Sequence, residues 1–189
     1  IDVSRYDMAR LGEFKFELWK QFGIDSTKYD SIWDYEQYTR LAQPAIACLH
    51  ALGCPSASEP CVVVSHEYMG MPTILAAIME GERGNFRTVF HAHECATMRR
   101  IVEGHPGHDT MFYNVMRTAT AQGHDVEDVF GDQSDYYKHA LVKASRFCDA
   151  VFAVGDYTLK EMRFLGPEFI HVDSQIAYNG VPHWHIGVD

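Results

Sequence analysis

Apolar residues Leu11, Phe14, Leu18 and Phe22 recur at helical spacing, so RYDMARLGEFKFELWKQFG (5–23) predicts a helix that Gly23 stops. SIWDYEQYTRLAQPAIACLHALG (31–53) reads as a second, longer helix, with Ser31 as N-cap and Gly53 as stop. Pro44 predicts a kink or break inside it. CPSASEP (54–60) has the composition of a loop. Then the period changes. CVVVS (61–65) is a β-branched run of the kind found in buried parallel strands. GMPTILAAIMEG (70–81) follows as a helix with Pro72 near its first turn, and FRTVFHA (86–92) as a second strand. Helical patterns occupy about 94–103, 109–122 and 133–147. DAVFAV (149–154) reads as a third strand, DYTLKEMRFLG (156–166) as a helix ended by Gly166-Pro167, and SQIAYNG (174–180) as a fourth strand.

Strands alternating with helices predict an α/β domain: a Rossmann-like parallel sheet with helices on both faces. Ligands of such sheets bind beyond the carboxyl ends of the strands. Three segments stand there: SHEYMG after the first strand, HAHECAT after the second and VGDYT after the third.

Composition narrows the partners. The chain has 189 residues, 47% of them hydrophobic, enough for a packed core. Its net charge of −10, with no strongly basic segment, sets nucleic acid aside as a partner. Five cysteines without a CxxC pair predict reduced thiols and a cytoplasmic location. No apolar run nears the roughly 20 residues of a membrane span.

TVFHAHEC (88–95) carries the densest chemistry. His91 and His93, two apart on a strand, point to one face and permit chelation, with Glu94 as a third ligand. A metal-dependent hydrolase is therefore one reading, although the chain is short for the barrels that carry an HxH pair and has no HExxH. The bland alternative is a strand that ends in satisfied histidines. HPGHD (105–109) reads as a solvated turn, and the HWH at 183–185 carries no weight. No GxGxxG, GxxxxGKS or GxSxG occurs, so Asp156 or Thr158 in VGDYT reads as a helix N-cap. Pattern alone reaches a polar ligand cleft lined by His66, Glu67, Tyr68, His93 and Arg99, and no reaction.

Taken in order, the strand-end motifs resemble the N-terminal domain of glycogen and starch synthases, most closely the animal and fungal type. SHEYMG is similar to that family's His-Glu-Trp segment, with Tyr68 in place of the tryptophan. TVFHAHECATMRRIVEG resembles its Phe-x-x-His strand end, with Arg99 six residues after His93 and Gly104 five further. FYN (112–114) has a counterpart, and YYKHALVKASRFCDAVFAVGDYTLKE resembles the segment leading to a Val-Ser-x-x-Thr helix start, with Gly155 and Asp156 replacing the serine region. YNGVP resembles the Asn-Gly pair that closes the domain, which brings in Asn179. The likeness spans about residues 60–182.

The resemblance implies part of the N-terminal domain of a GT-B glycosyltransferase, a retaining enzyme that moves glucose from UDP-glucose or ADP-glucose to the non-reducing end of an α-1,4-glucan. Residues 1–182 would be the partial acceptor-side domain, with 1–55 mainly helical, and 183–189 the start of a linker or tail. The family's Lys-x-Gly-Gly donor loop and its C-terminal domain are not in this chain, so the chain alone is expected to be inactive. No cofactor or catalytic metal is implied, and a homo-oligomer is allowed. By the resemblance, His93 is the catalytic residue, bonding a donor-sugar hydroxyl while a neighbouring carbonyl faces the anomeric carbon. His66, Glu67, Tyr68, Arg99 and Asn179 would contact substrate. A third reading is a non-catalytic glucan- or protein-binding domain.

Overall fold

A computed structural model describes residues 1–56, 58–104 and 109–180. Its centre is a four-stranded, all-parallel sheet in the order β1 (Cys61–His66), β2 (Phe86–Ala92), β3 (Ala150–Ala153), β4 (Asp173–Ile176). The chain is thus α/β, with the sheet flanked by helices, as the alternating pattern predicts.

Two helices precede the sheet. Helix α1 (Met8–Phe22) starts where the Asp7 carboxylate accepts the Ala9 and Arg10 amides, and ends at Gly23 in the left-handed region (φ 74°). It buries Phe14, Leu18 and Phe22. Helix α2 (Trp33–Ala51) runs unbroken through Pro44, so the expected break does not occur; Tyr35, Thr39, Ala42 and Ile46 are buried along its length and hold it across that residue. Its N-cap is Ile32 rather than Ser31, without a side-chain cap. Tyr29, Tyr35 and Tyr137 pack edge to face, and the Tyr29 hydroxyl donates to the Ser134 carbonyl at 2.7 Å, tying this helical segment to the second half of the chain.

Helix α3 (Met71–Met79) crosses from β1 to β2 and packs on both, with α2 against it. Between β2 and β3 run α4 (Ala96–Gly104), α5 (Asp109–Ala121), α6 (Val126–Phe130) and α7 (Tyr137–Lys143). The last is shorter than the predicted 133–147, and a 3₁₀ turn over Ala144–Phe147 completes the span. Helix α6 is not evident from hydrophobic period, because five residues show too little of it; its signature is the capping box of Asp125 and Asp128. Helix α8 (Asp156–Phe164) crosses to β4 and packs on β3 and β4. Its N-cap is Gly155, and Asp156 is its first residue, so neither Asp156 nor Thr158 caps it. The fourth strand stops at Ile176, four residues short of the expected end. The 105–108 part of the expected turn and the 183–185 histidines lie outside the described residues.

The strands are covered on one face. Ser65, Phe90 and Val151 stand side by side in register and are buried, as are Phe86, Ala92 and Ala153 on the same face. The opposite face carries Val62, Val64 and His66 on β1, Val89 and His91 on β2, and Ala150 and Phe152 on β3. There Val62 and Val64 are 57% and 46% exposed, and Val89, Ala150 and Phe152 are half-buried. The expectation of helices on both faces therefore does not hold among the described residues. The alternation of buried and exposed positions in the central strands is that of a half-covered sheet.

Candidate functional site

The site lies at the carboxyl edge of the sheet, where β1 and β2 end. Parallel register sets His66 beside His91. His93 follows two residues later, so its ring falls on the same side, 4.5 Å from that of His91 between centroids. The His66 ring lies 5.3 Å from each of the other two. The three imidazoles form a triangle on the uncovered side of the sheet, with His66 exposed and the other two half-buried.

Hydrogen bonds order the triangle. Nδ1 of His66 is 2.9 Å from Nε2 of His93. The Asn179 side-chain amide lies 3.5 Å from Nδ1 of His93, so the two ring nitrogens of His93 face Asn179 on one side and His66 on the other. Nε2 of His91 donates to the Ala177 carbonyl at 3.3 Å. Burial, reinforced by the neighbouring His93 and His66, holds the His91 imidazole below its ordinary range, which keeps it neutral, although its bond to Ala177 pulls the other way.

Glu67 holds the strand end from below. Its backbone amide extends the β1–β2 ladder by donating to the His91 carbonyl at 3.1 Å. Its φ of 61° with ψ of −175° is a conformation that side-chain-bearing residues rarely adopt. That turn lets one carboxylate oxygen, Oε1, accept the backbone N–H groups of both His93 and Glu94. The other oxygen, Oε2, is buried with no hydrogen-bond partner among the described residues. Burial raises the carboxyl above the ordinary range, against the two amides that lower it. Ser65 steadies the same turn by donating its hydroxyl to the Glu67 carbonyl at 2.6 Å. Gly70 closes it so tightly that a Cβ there would meet Ser65 Oγ at 2.5 Å and Ser65 Cα at 3.2 Å.

No family model and no curated protein matches the chain. Its motifs and its geometry therefore carry the functional reading alone.

The structure sorts the sequence-predicted residues into two groups. His66, Glu67, His93 and Asn179 converge, although Asn179 is 86 residues from His93 along the chain. Tyr68 and Arg99 do not join them. The Tyr68 ring packs edge-on against Tyr38 and Tyr137 with the Lys138 ammonium 4.8 Å above it. Arg99 is exposed and directs Nε and Nη2 to Glu94 at 3.3 Å. Glu94 is paired with Arg99, and among the described residues the metal-capable group at this edge is His66, His91 and His93. The resemblance singles out His93; register brings His91 and His66 to the same triangle. The missing signal was lateral pairing of β1 with β2, which no local pattern states.

Buried titratable groups elsewhere serve packing. Cys95 is fully buried and its thiol is pushed up to about 12 by desolvation, so it is no nucleophile. Glu161 accepts the Tyr113 hydroxyl at 2.6 Å behind the same strand end. No helix among the described residues is long and apolar enough to cross a membrane.

Proposed function

We propose that the chain is part of the acceptor-side, N-terminal domain of a retaining GT-B glycosyltransferase that moves glucose from UDP-glucose or ADP-glucose to the end of an α-1,4-glucan. The observation that carries this reading is the meeting of three separate motifs at one strand end. The Glu67 carboxylate pins the backbone at His93, and Asn179 reaches the ring from the far side. The resemblance to glycogen synthases draws on those same three motifs.

Each residue has a task in this reading. His93 bonds a hydroxyl of the donor sugar and orients the anomeric carbon. Glu67 positions it through the backbone, so the ring need not reorganise when charge develops. Asn179 and His66 hold the His93 ring from its two sides until the sugar hydroxyl replaces His66. A second, nucleotide-binding domain completes the site, and the chemistry needs no metal.

The test is incorporation of labelled glucose into glycogen by the full-length protein that carries this chain, supplied separately with UDP-glucose and ADP-glucose. Transfer from either donor supports the reading. Absence of transfer from both overturns it.

A further inference from the structure

We propose that His66, His91 and His93 form a three-histidine binding site for a divalent transition metal of the Zn²⁺ class. This goes beyond the transferase reading, which gives His91 no task and uses no metal.

The geometry is close to what such an ion requires. One ligand nitrogen from each of the three rings lies within 4.8 Å of the other two, and Nδ1 of His66 is 2.9 Å from Nε2 of His93. Two imidazole nitrogens on one tetrahedral zinc, each about 2.0–2.1 Å from it, sit about 3.3 Å from one another. The observed triangle brackets that value, and small rotations about the side-chain bonds close the difference. The backbone beneath is fixed: β1–β2 pairing holds His66 against His91, and the Glu67 carboxylate holds the His93 amide.

The surroundings also suit a metal. Ligating histidines donate their second ring nitrogen to a carbonyl or carboxylate. Nε2 of His91 already faces the Ala177 carbonyl, which leaves Nδ1 as its ligand atom. His93 would bind through Nε2 and carry its proton on Nδ1; rotating the Asn179 amide then presents Oδ1 to that proton. The ion takes the place of the hydrogen bond between His93 and His66. All three ligands are imidazoles, the set that suits zinc, cobalt, nickel and copper better than magnesium or calcium. His66 is exposed, so the metal is reachable from solvent and keeps a position for water. The net charge of −10 favours approach of a cation.

The site is distinct from the cluster that sequence alone suggests, because Glu94 is engaged by Arg99. Since His93 cannot hold a metal and a sugar hydroxyl together, a bound ion and the donor sugar exclude each other.

Cobalt provides a readout independent of activity. The metal-free 189-residue chain is titrated with Co²⁺ and followed by visible absorption, then with Zn²⁺ by calorimetry. The expected result is one equivalent bound, with the absorption of a low-coordinate N-ligated cobalt centre that zinc displaces. H66A, at an exposed position, should weaken binding at least 100-fold while leaving the circular dichroism unchanged, and H91A should do the same. A variant with His105, His108, His183 and His185 all changed to Ala should bind like wild type. Absence of stoichiometric binding would overturn the proposal. So would binding that survives H66A and H91A, or that is lost in the quadruple variant. A transferase that works and binds no metal would leave the preceding reading intact.

Discussion

Nδ1 of His66 and Nε2 of His93 face each other at 2.9 Å across the ends of two adjacent parallel strands. The Asn179 amide lies on the other side of the His93 ring, 3.5 Å from its Nδ1. Each ring is thus set by residues distant in sequence, and the pair is preorganised before any ligand arrives. The site's behaviour follows from what holds these rings in place.

Glu67 is the first test of that. Glu67→Ala leaves the His93 and Glu94 amides without their acceptor, which costs about 1–3 kcal/mol of stability per amide. Glu67→Gln keeps an oxygen at Oε1 and should cost less than about 1 kcal/mol. In transfer assays, E67A should lower kcat more than it raises KM, because the residue acts on the position of His93, and E67Q should restore much of the loss. Urea denaturation alongside steady-state kinetics reads both.

The same carboxyl predicts a pH effect. Its value is raised by burial in the folded chain, so the native state keeps the proton to higher pH than the unfolded chain does. That contribution is complete below the ordinary carboxyl range and is lost as pH rises through the folded value. The difference in stability between wild type and E67Q should shift against wild type as pH climbs out of the acidic range, and a flat difference curve would contradict the burial of Glu67.

His139 titrates in the opposite sense. It is buried beside Thr97, its Nδ1 3.0 Å from the threonine hydroxyl, and desolvation, helped by Lys143, lowers it to about 4. The nearby Glu127 carboxylate, 3.8 Å away, does not reverse this. On acidification the unfolded chain takes up the proton first, so stability falls between about pH 6.5 and pH 4, by roughly 3 kcal/mol in all. Thermal melts of wild type and His139→Gln across that window should converge as the pH drops.

Gly70 is a steric test of the turn beneath the site. Gly70→Ala places a methyl against Ser65 Oγ and its backbone, and should destabilise by about 1–3 kcal/mol. Pairing it with Ser65→Ala, which removes the nearest atom, should recover part of that cost in a double-mutant cycle.

Much of the fold was legible because β-branched runs and helical periods are local. Cys61–His66 and Phe86–Ala92 stand where the pattern places them, and Gly23 stops its helix. Pro44 does not break its helix, because a row of buried side chains outweighs one lost hydrogen bond. The half-covered sheet was illegible for a different reason: CVVVS is apolar on both faces, and only register shows that Val62 and Val64 face outward. The same holds for the site. His93, Glu67 and Asn179 were found through motifs, whereas the equal standing of His66 and His91 depends on strand pairing. The position of Arg99 was likewise not legible: its guanidinium stands against Glu94 rather than beside the histidines.

The central claim is that His93 contacts the donor sugar of a glucosyl transfer. Its most direct test compares full-length wild type and His93→Ala for transfer of labelled glucose to glycogen at saturating donor. The half-buried strand-end ring lies outside the hydrophobic core, so the variant should melt within a few degrees of wild type. The account predicts a fall in kcat of at least about 100-fold with the fold retained. A folded His93→Ala protein that transfers glucose at the wild-type rate would contradict it.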